Sequence, residues 1–151
     1  MAREDVLHKI EVHVAGLCFE KHKNVWRCLI GLRAHDRALY PDLWECGGGQ
    51  VHAGESFEEA LLRQMSEEFD IDVNILFPLS PYSIKTEEGL IPGIKFVCAL
   101  RENQKVQCDG REIVKSAWIT EADIEKYDFI SGIKEDIHRG FMALERWDKE
   151  K

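Results

Sequence analysis

An α/β sandwich around a mixed β-sheet is the fold class that this sequence predicts, on three observations. Short runs of β-branched and apolar residues recur through most of the chain, a well-capped helix interrupts them near the middle, and an amphipathic segment follows them at the end. With 151 residues and no linker, repeat or break in composition, residues 1–151 read as one domain.

The elements follow in order. Ile10 to Phe19 alternates like a strand, Glu20 to Asn24 is a polar turn, and Val25 to Leu32 is an apolar and therefore central strand. A loop over Ala34–Asp42 leads to a short strand, Leu43 to Cys46, which feeds three glycines, Gly47 to Gly49. Ser56 to Phe69 is the clearest helix: Ser56 is a good N-cap and Glu59, three residues on, completes a capping box. Strands are expected at Ile71–Phe77, Tyr82–Thr86, Ile94–Arg101 and Ile113–Ile119, with turns at Pro92-Gly93 and Cys108-Asp109-Gly110. Thr120 to Tyr127 reads as a short helix and Ile133 to Trp147 as a longer amphipathic one.

Composition narrows the classes of function. The net charge is −8, from 28 acidic and 20 basic side chains, which argues against a nucleic-acid polymer as partner. No apolar run is long enough for a membrane span, and the charged start leading into Val6-Leu7-His8-Lys9-Ile10 has no signal-peptide core, so a cytoplasmic protein is expected. Five cysteines (Cys18, Cys28, Cys46, Cys98, Cys108) include no CxxC pair, which makes a zinc site or disulfide framework a poor reading and buried reduced thiols the better one.

On a helical wheel Leu61, Leu62, Met65 and Phe69 gather on one side of the central helix, with Arg63, Gln64, Glu67 and Glu68 on the other. The polar side is expected to face a cleft or solvent, and Arg63 is spaced to pair with Glu67. Acidic helix faces are common. Here, however, a glycine turn lies just upstream, where backbone groups can approach a ligand closely, and the helix N-terminus favours phosphate. Glycine turn, helix N-terminus and carboxylates converging on one spot would suit Mg²⁺ with a pyrophosphate.

The run from Gly49 through Glu55 to Arg63-Gln64-Met65-Ser66-Glu67-Glu68-Phe69-Asp70-Ile71 resembles the Nudix signature. That signature is Gly, five residues, Glu, seven residues, then Arg-Glu-apolar-any-Glu-Glu-any-Gly-apolar, and seven of its nine specified positions are kept. Asp70 stands in place of the last glycine, a mild change, and Gln64 in place of a glutamate that binds metal or acts as base in much of the family. Gly47 replaces a frequent proline, and Gln50 a frequent lysine.

The resemblance implies a Nudix-type α/β/α sandwich and a pyrophosphohydrolase using Mg²⁺ or Mn²⁺. It would cleave a phosphoanhydride bond in a nucleoside diphosphate derivative: a nucleoside triphosphate, damaged or not, or a nucleotide sugar. The alternative is a nucleotide-binding module with weak or no hydrolysis, because Gln64 replaces a carboxylate. The resemblance further implies Glu67 and Glu68 as metal ligands, helped by the Gly48 carbonyl. Gly48 and Gly49 would lie against substrate, Arg63 would hold a glutamate, and Glu55 would stabilise the loop or join the metal shell. Glu112, six residues before Trp118, is spaced like the family's accessory base, with Glu87 and Glu88 as alternatives and a plain surface role also open. Arg33 suits either a phosphate contact or a salt bridge. Trp44 is read as core, and His52 is weak as a ligand. Relatives commonly form homodimers, a point that nothing in the sequence decides.

Overall fold

The computed structural model describes residues 1–151, and in it seven strands form one mixed sheet between two helices. β1 (His13–His22), β2 (Val25–Arg33), β3 (Trp44–Glu45) and β4 (Gly47–Gln50) precede α1 (Phe57–Phe69); β5 (Val73–Thr86), β6 (Gly89–Leu100) and β7 (Ile113–Ile119) follow it. A 3₁₀ turn over Glu121–Lys126 leads to α2 (Ile133–Lys149). The main strand order is β3-β2-β1-β6-β5, with β4 added to β1 and β7 to β2. β1 is the hinge of this arrangement. Its first residues pair antiparallel with β4, its last with β2, and its other edge runs parallel to β6. The expected α/β sandwich and mixed sheet are what the chain adopts.

Two apolar layers hold it together, one on each face of the sheet. Leu61, Met65 and Phe69 of α1 pack on Val14, Cys18, Leu29, Phe96, Cys98 and Ile113. Ile137, Phe141 and Leu144 of α2 pack on Leu17, Phe19, Cys28, Ile30 and Val97. Cys18, Cys28, Cys46 and Cys98 are buried free thiols, as expected from their apolar neighbours; the Cys98 thiol beside it and then burial raise Cys18 well above the usual range, and burial and then Cys46 do the same for Cys28. Trp44 lies edge-on to Tyr127 at 5.0 Å within the α2-side layer, the core role expected of it. No helix is long and apolar enough to cross a membrane.

The region between α1 and the late cysteine differs from the sequence reading. The two strands expected at Ile71–Phe77 and Tyr82–Thr86 are one strand, β5, running through Pro78 and Pro81. β5 is the sheet edge, where a missing N–H costs no ladder bond, and register shifts near both prolines absorb the misfit. Pro92-Gly93 is no turn but lies inside β6, opposite Ser83 and Tyr82, and the Tyr82 ring fills the space above Gly93. The turn falls instead at Glu87-Glu88, the tip of the β5–β6 hairpin.

Candidate active site

α1 begins and ends as its sequence directs. The Ser56 hydroxyl accepts the Glu59 N–H and the Glu59 carboxylate accepts the Ser56 N–H, both at 3.1 Å. Asp70 closes the helix in the left-handed conformation (φ 56°, ψ 44°), so the replacement of the signature glycine is accommodated without a break. The helical wheel requires correction. Leu62 is 42% exposed, whereas Gln64 and Glu68, expected on the polar side, are only 9% and 2% exposed. The buried stripe of α1 is Ala60, Leu61, Gln64, Met65, Glu68 and Phe69, a regular three-to-four spacing with two polar members.

Those two polar side chains are the ones that meet β4. Glu68 Oε1 accepts the Gly48 N–H at 3.0 Å. Gly48 has φ +149°, and a Cβ there would run into the Val14 carbonyl oxygen of β1, so the close approach of strand and carboxylate demands glycine. Gln64 lies flat on Gly49, where a Cβ would come within 2.5 Å of its Nε2, and that nitrogen donates to the Gln50 carbonyl at 3.5 Å. The three glycines, a strand rather than the expected turn, therefore do meet one of the carboxylates, Glu68. The helix N-terminus does not: eleven residues of helix, roughly 16 Å, separate Ser56 from Glu67.

Glu55 and Arg63 form a separate strut. Arg63 Nε and Nη2 donate to the two Glu55 oxygens at 2.7 and 2.9 Å, Nη2 also reaches the Gln50 carbonyl at 2.9 Å, and the His52 N–H donates to Glu55 at 2.8 Å. These bonds, those of Arg63 foremost, draw the Glu55 carboxyl down to about 2. Both its oxygens are engaged, so the geometry serves the first of the two roles expected for Glu55, support of the loop. The third Arg63 nitrogen donates to Glu67 at 3.3 Å, the expected pairing. The His52 ring is exposed, 3.9 Å from Glu55.

Glu68 is the opposite case. Burial, then the negative charge of Glu45, push its carboxyl up to about 8 against the pull of the Gly48 N–H. Glu45, which the sequence reading left without a role, is itself raised by burial despite its ion pair with Arg33. That pair is the salt bridge, one of the two readings of Arg33. Its guanidinium is occupied by Glu45 and by the Leu39 and Tyr40 carbonyls at 2.7–3.1 Å, so it pins the Ala34–Asp42 loop rather than facing a phosphate.

Beside α1 opens a cavity of about 810 Å³ lined by His35, Asp36, Glu67, Asp109, Arg111 and Glu112. Glu112 thus stands with Glu67 at one opening, as the base reading requires. Glu87 and Glu88 lie on the hairpin tip, outside this lining. Asp109 and Arg111 carried no expected role, although Asp109-Gly110 was legible as a turn.

A family model described as the NUDIX domain matches residues 9–139. An 8-oxo-dGTP diphosphatase of Proteus vulgaris is 36% identical over 69 residues, 45% of this chain and 58% of the relative, so the chain matches little more than half of that protein's length. The nucleoside triphosphatase NudI of Escherichia coli is 29% identical over 107 residues, 63% of this chain and 74% of the relative. Among solved structures, the NUDIX domain of Shewanella oneidensis NrtR complexed with ADP ribose superposes with TM-score 0.74 at 17% identity, covering 91% of this chain and 90% of that one. A C. elegans Ap4A hydrolase superposes with TM-score 0.73 at 17% identity, covering 89% and 97%. At such identities the structures speak for the fold alone. The family match spans nearly the whole chain, the signature residues occupy one strand–helix junction, and the chain belongs to the Nudix hydrolase family.

Proposed function

We propose that this chain is a pyrophosphohydrolase that cleaves a phosphoanhydride bond in a nucleoside triphosphate, with nucleotide sugars as the next substrate class. One observation carries the reading: a buried Glu68 that makes no ion pair is held by the Gly48 N–H, and its chain neighbour Glu67 lines a cavity together with Glu112. The names of the Proteus and Escherichia relatives support the triphosphate class, and the first supports a damaged nucleotide within it.

The donors at this junction suit a hard divalent cation such as Mg²⁺ or Mn²⁺, since Glu67, Glu68 and the Gly48 carbonyl offer oxygen only. No three acidic, His or Cys side chains converge as a ready-made cage. A Mg²⁺ ion here would be held by one or two carboxylates and completed by water and substrate phosphate. A cation so bound would neutralise phosphate oxygens and lower the pKa of water. The remaining work belongs to the chain. Arg63 orients Glu67 while Glu55 holds Arg63 in place. Glu112 takes the proton from the attacking water, a task that the Gln64 amide cannot perform. The substrate class and the reduced thiols both support a cytoplasmic setting.

The test is release of phosphate or pyrophosphate from a panel of nucleoside triphosphates and nucleotide sugars, with Mg²⁺, with Mn²⁺ and after chelation. Turnover that needs the cation and collapses in Glu67→Gln supports the assignment; turnover indifferent to both overturns it. Gln64 favours a second reading, a binding module, and calorimetric nucleotide binding with no product from any substrate would establish that one instead.

A further inference from the structure

We infer that Asp109 is a positioning residue of this site, whose carboxylate shapes the turn that brings Glu112 and Arg111 into the cavity beside Glu67. The inference rests on the reading of Glu112 as the base. A single oxygen, Asp109 Oδ1, accepts the backbone N–H groups of Arg111, Glu112 and Ile113, each at 3.0 Å. The Gly110 N–H closes the same turn onto the Ile113 carbonyl at 3.0 Å, and Gly110 adopts φ +76°, which a residue with a Cβ reaches only under strain.

The turn is also fastened to the two elements that frame the cavity. The Gln107 and Asp109 N–H groups donate to the Phe69 and Glu68 carbonyls at 2.9 and 3.1 Å, using the free carbonyls at the end of α1. The Ala34 N–H donates to the Glu112 carbonyl at 3.0 Å, which ties the turn to the exit of β2. Helix, turn and β2 exit are thus one hydrogen-bonded unit. The Glu112 side chain is exposed and receives no hydrogen bond of its own, so its place is set by its backbone, and Asp109 sets that backbone. An asparagine carbonyl oxygen can accept the same N–H groups, so the role is geometric and does not depend on the aspartate charge.

A small displacement of a reacting group is enough to cost rate. The experiment compares steady-state kinetics of Asp109→Ala, Asp109→Asn, Glu112→Gln and the double variant Asp109→Ala/Glu112→Gln, on the best nucleoside triphosphate with Mg²⁺. Glu112→Gln is expected to lower kcat about a hundredfold, and Asp109→Ala at least about tenfold with KM changed less than about threefold. Asp109→Asn recovers most of the lost kcat, and the double variant is no slower than Glu112→Gln alone. Gly110→Ala, which strains the same turn with open space around the added methyl, stands in should Asp109→Ala fail to fold, and it is expected to show the same loss in kcat. If Glu112→Gln turns over at the unchanged rate, the base reading itself is wrong. If Glu112→Gln is slow but the Asp109 loss multiplies with it, or Asp109→Ala leaves kcat intact, the base stands and the positioning role falls.

Discussion

Glu55 and Glu68 belong to one signature and one helix–loop unit, yet their surroundings drive them in opposite directions. Glu55 is met by three side-chain and backbone donors and its carboxyl falls to about 2; Glu68 is buried against one backbone N–H, faces Glu45, and its carboxyl rises to about 8. The first is electrostatically satisfied within the protein and acts as a strut. The second carries a burial cost that the protein itself does not offset, and a divalent cation would do so. The contrast separates a structural from a chemical glutamate without reference to which one the signature specifies.

The largest expected effect breaks the comparison directly. Glu68→Gln and Glu67→Gln should each lower metal-dependent turnover by about a hundredfold or more, whereas Glu55→Gln should lower it by only about tenfold, acting through Arg63 and Glu67. Equal losses at all three positions, measured as phosphate or pyrophosphate release, would erase the distinction. Gly48→Ala comes next. It strains a backbone at φ +149° and drives a methyl into the Val14 carbonyl, so urea unfolding should report a loss of about 3 kcal/mol or more. An unchanged midpoint would show that β4 need not approach β1 and Glu68 so closely.

Two pH profiles sharpen the contrast further. A carboxyl raised from 4.5 to about 8 favours folding below 4.5 and loses that contribution as pH climbs through about 8. The chelated protein should therefore melt at progressively lower temperature between these limits, and Glu68→Gln should flatten the profile. The Glu55 contribution has the opposite sign. It is present above 4.5 and lost as pH falls towards about 2, so Glu55→Gln should shrink the acid-side decline in melting temperature by a smaller amount, given its exposure to solvent. A Glu68→Gln protein with an unaltered neutral-to-alkaline profile would remove the basis for treating Glu68 as uncompensated.

Much of the chain was legible because its signals are local. The capping box at Ser56 and Glu59, the alternation of β1 and the turn at Asp109-Gly110 each depend on residues within a few positions of one another, and the signature from Gly49 to Ile71 is a fixed spacing along the chain. The errors came where a distant partner decides. Pro78 and Pro81 lie between the two strands expected there, but β5 is the sheet edge, where they fit and the strand continues. Pro92-Gly93 read as a turn until Tyr82 arrived across the ladder. Gln64 and Glu68, on the side expected to face a cleft or solvent, are buried against β4 instead. Their spacing from Leu61 and Met65 had placed them on the buried stripe throughout.

By itself the sequence determined the family, the sandwich class and the set of carboxylates from which a site is made, since composition, periodicity and motif spacing are properties of the chain alone. Only the tertiary structure decided which carboxylate is satisfied and which is not. That depends on through-space neighbours, Arg63 for Glu55 and Glu45 for Glu68, and on how much water each has lost. It also placed Arg33 in a salt bridge that anchors a loop, and brought Asp109 to the end of α1 and Glu112 into one cavity with Glu67. Electrostatic free energy follows distance and burial, and sequence separation fixes neither.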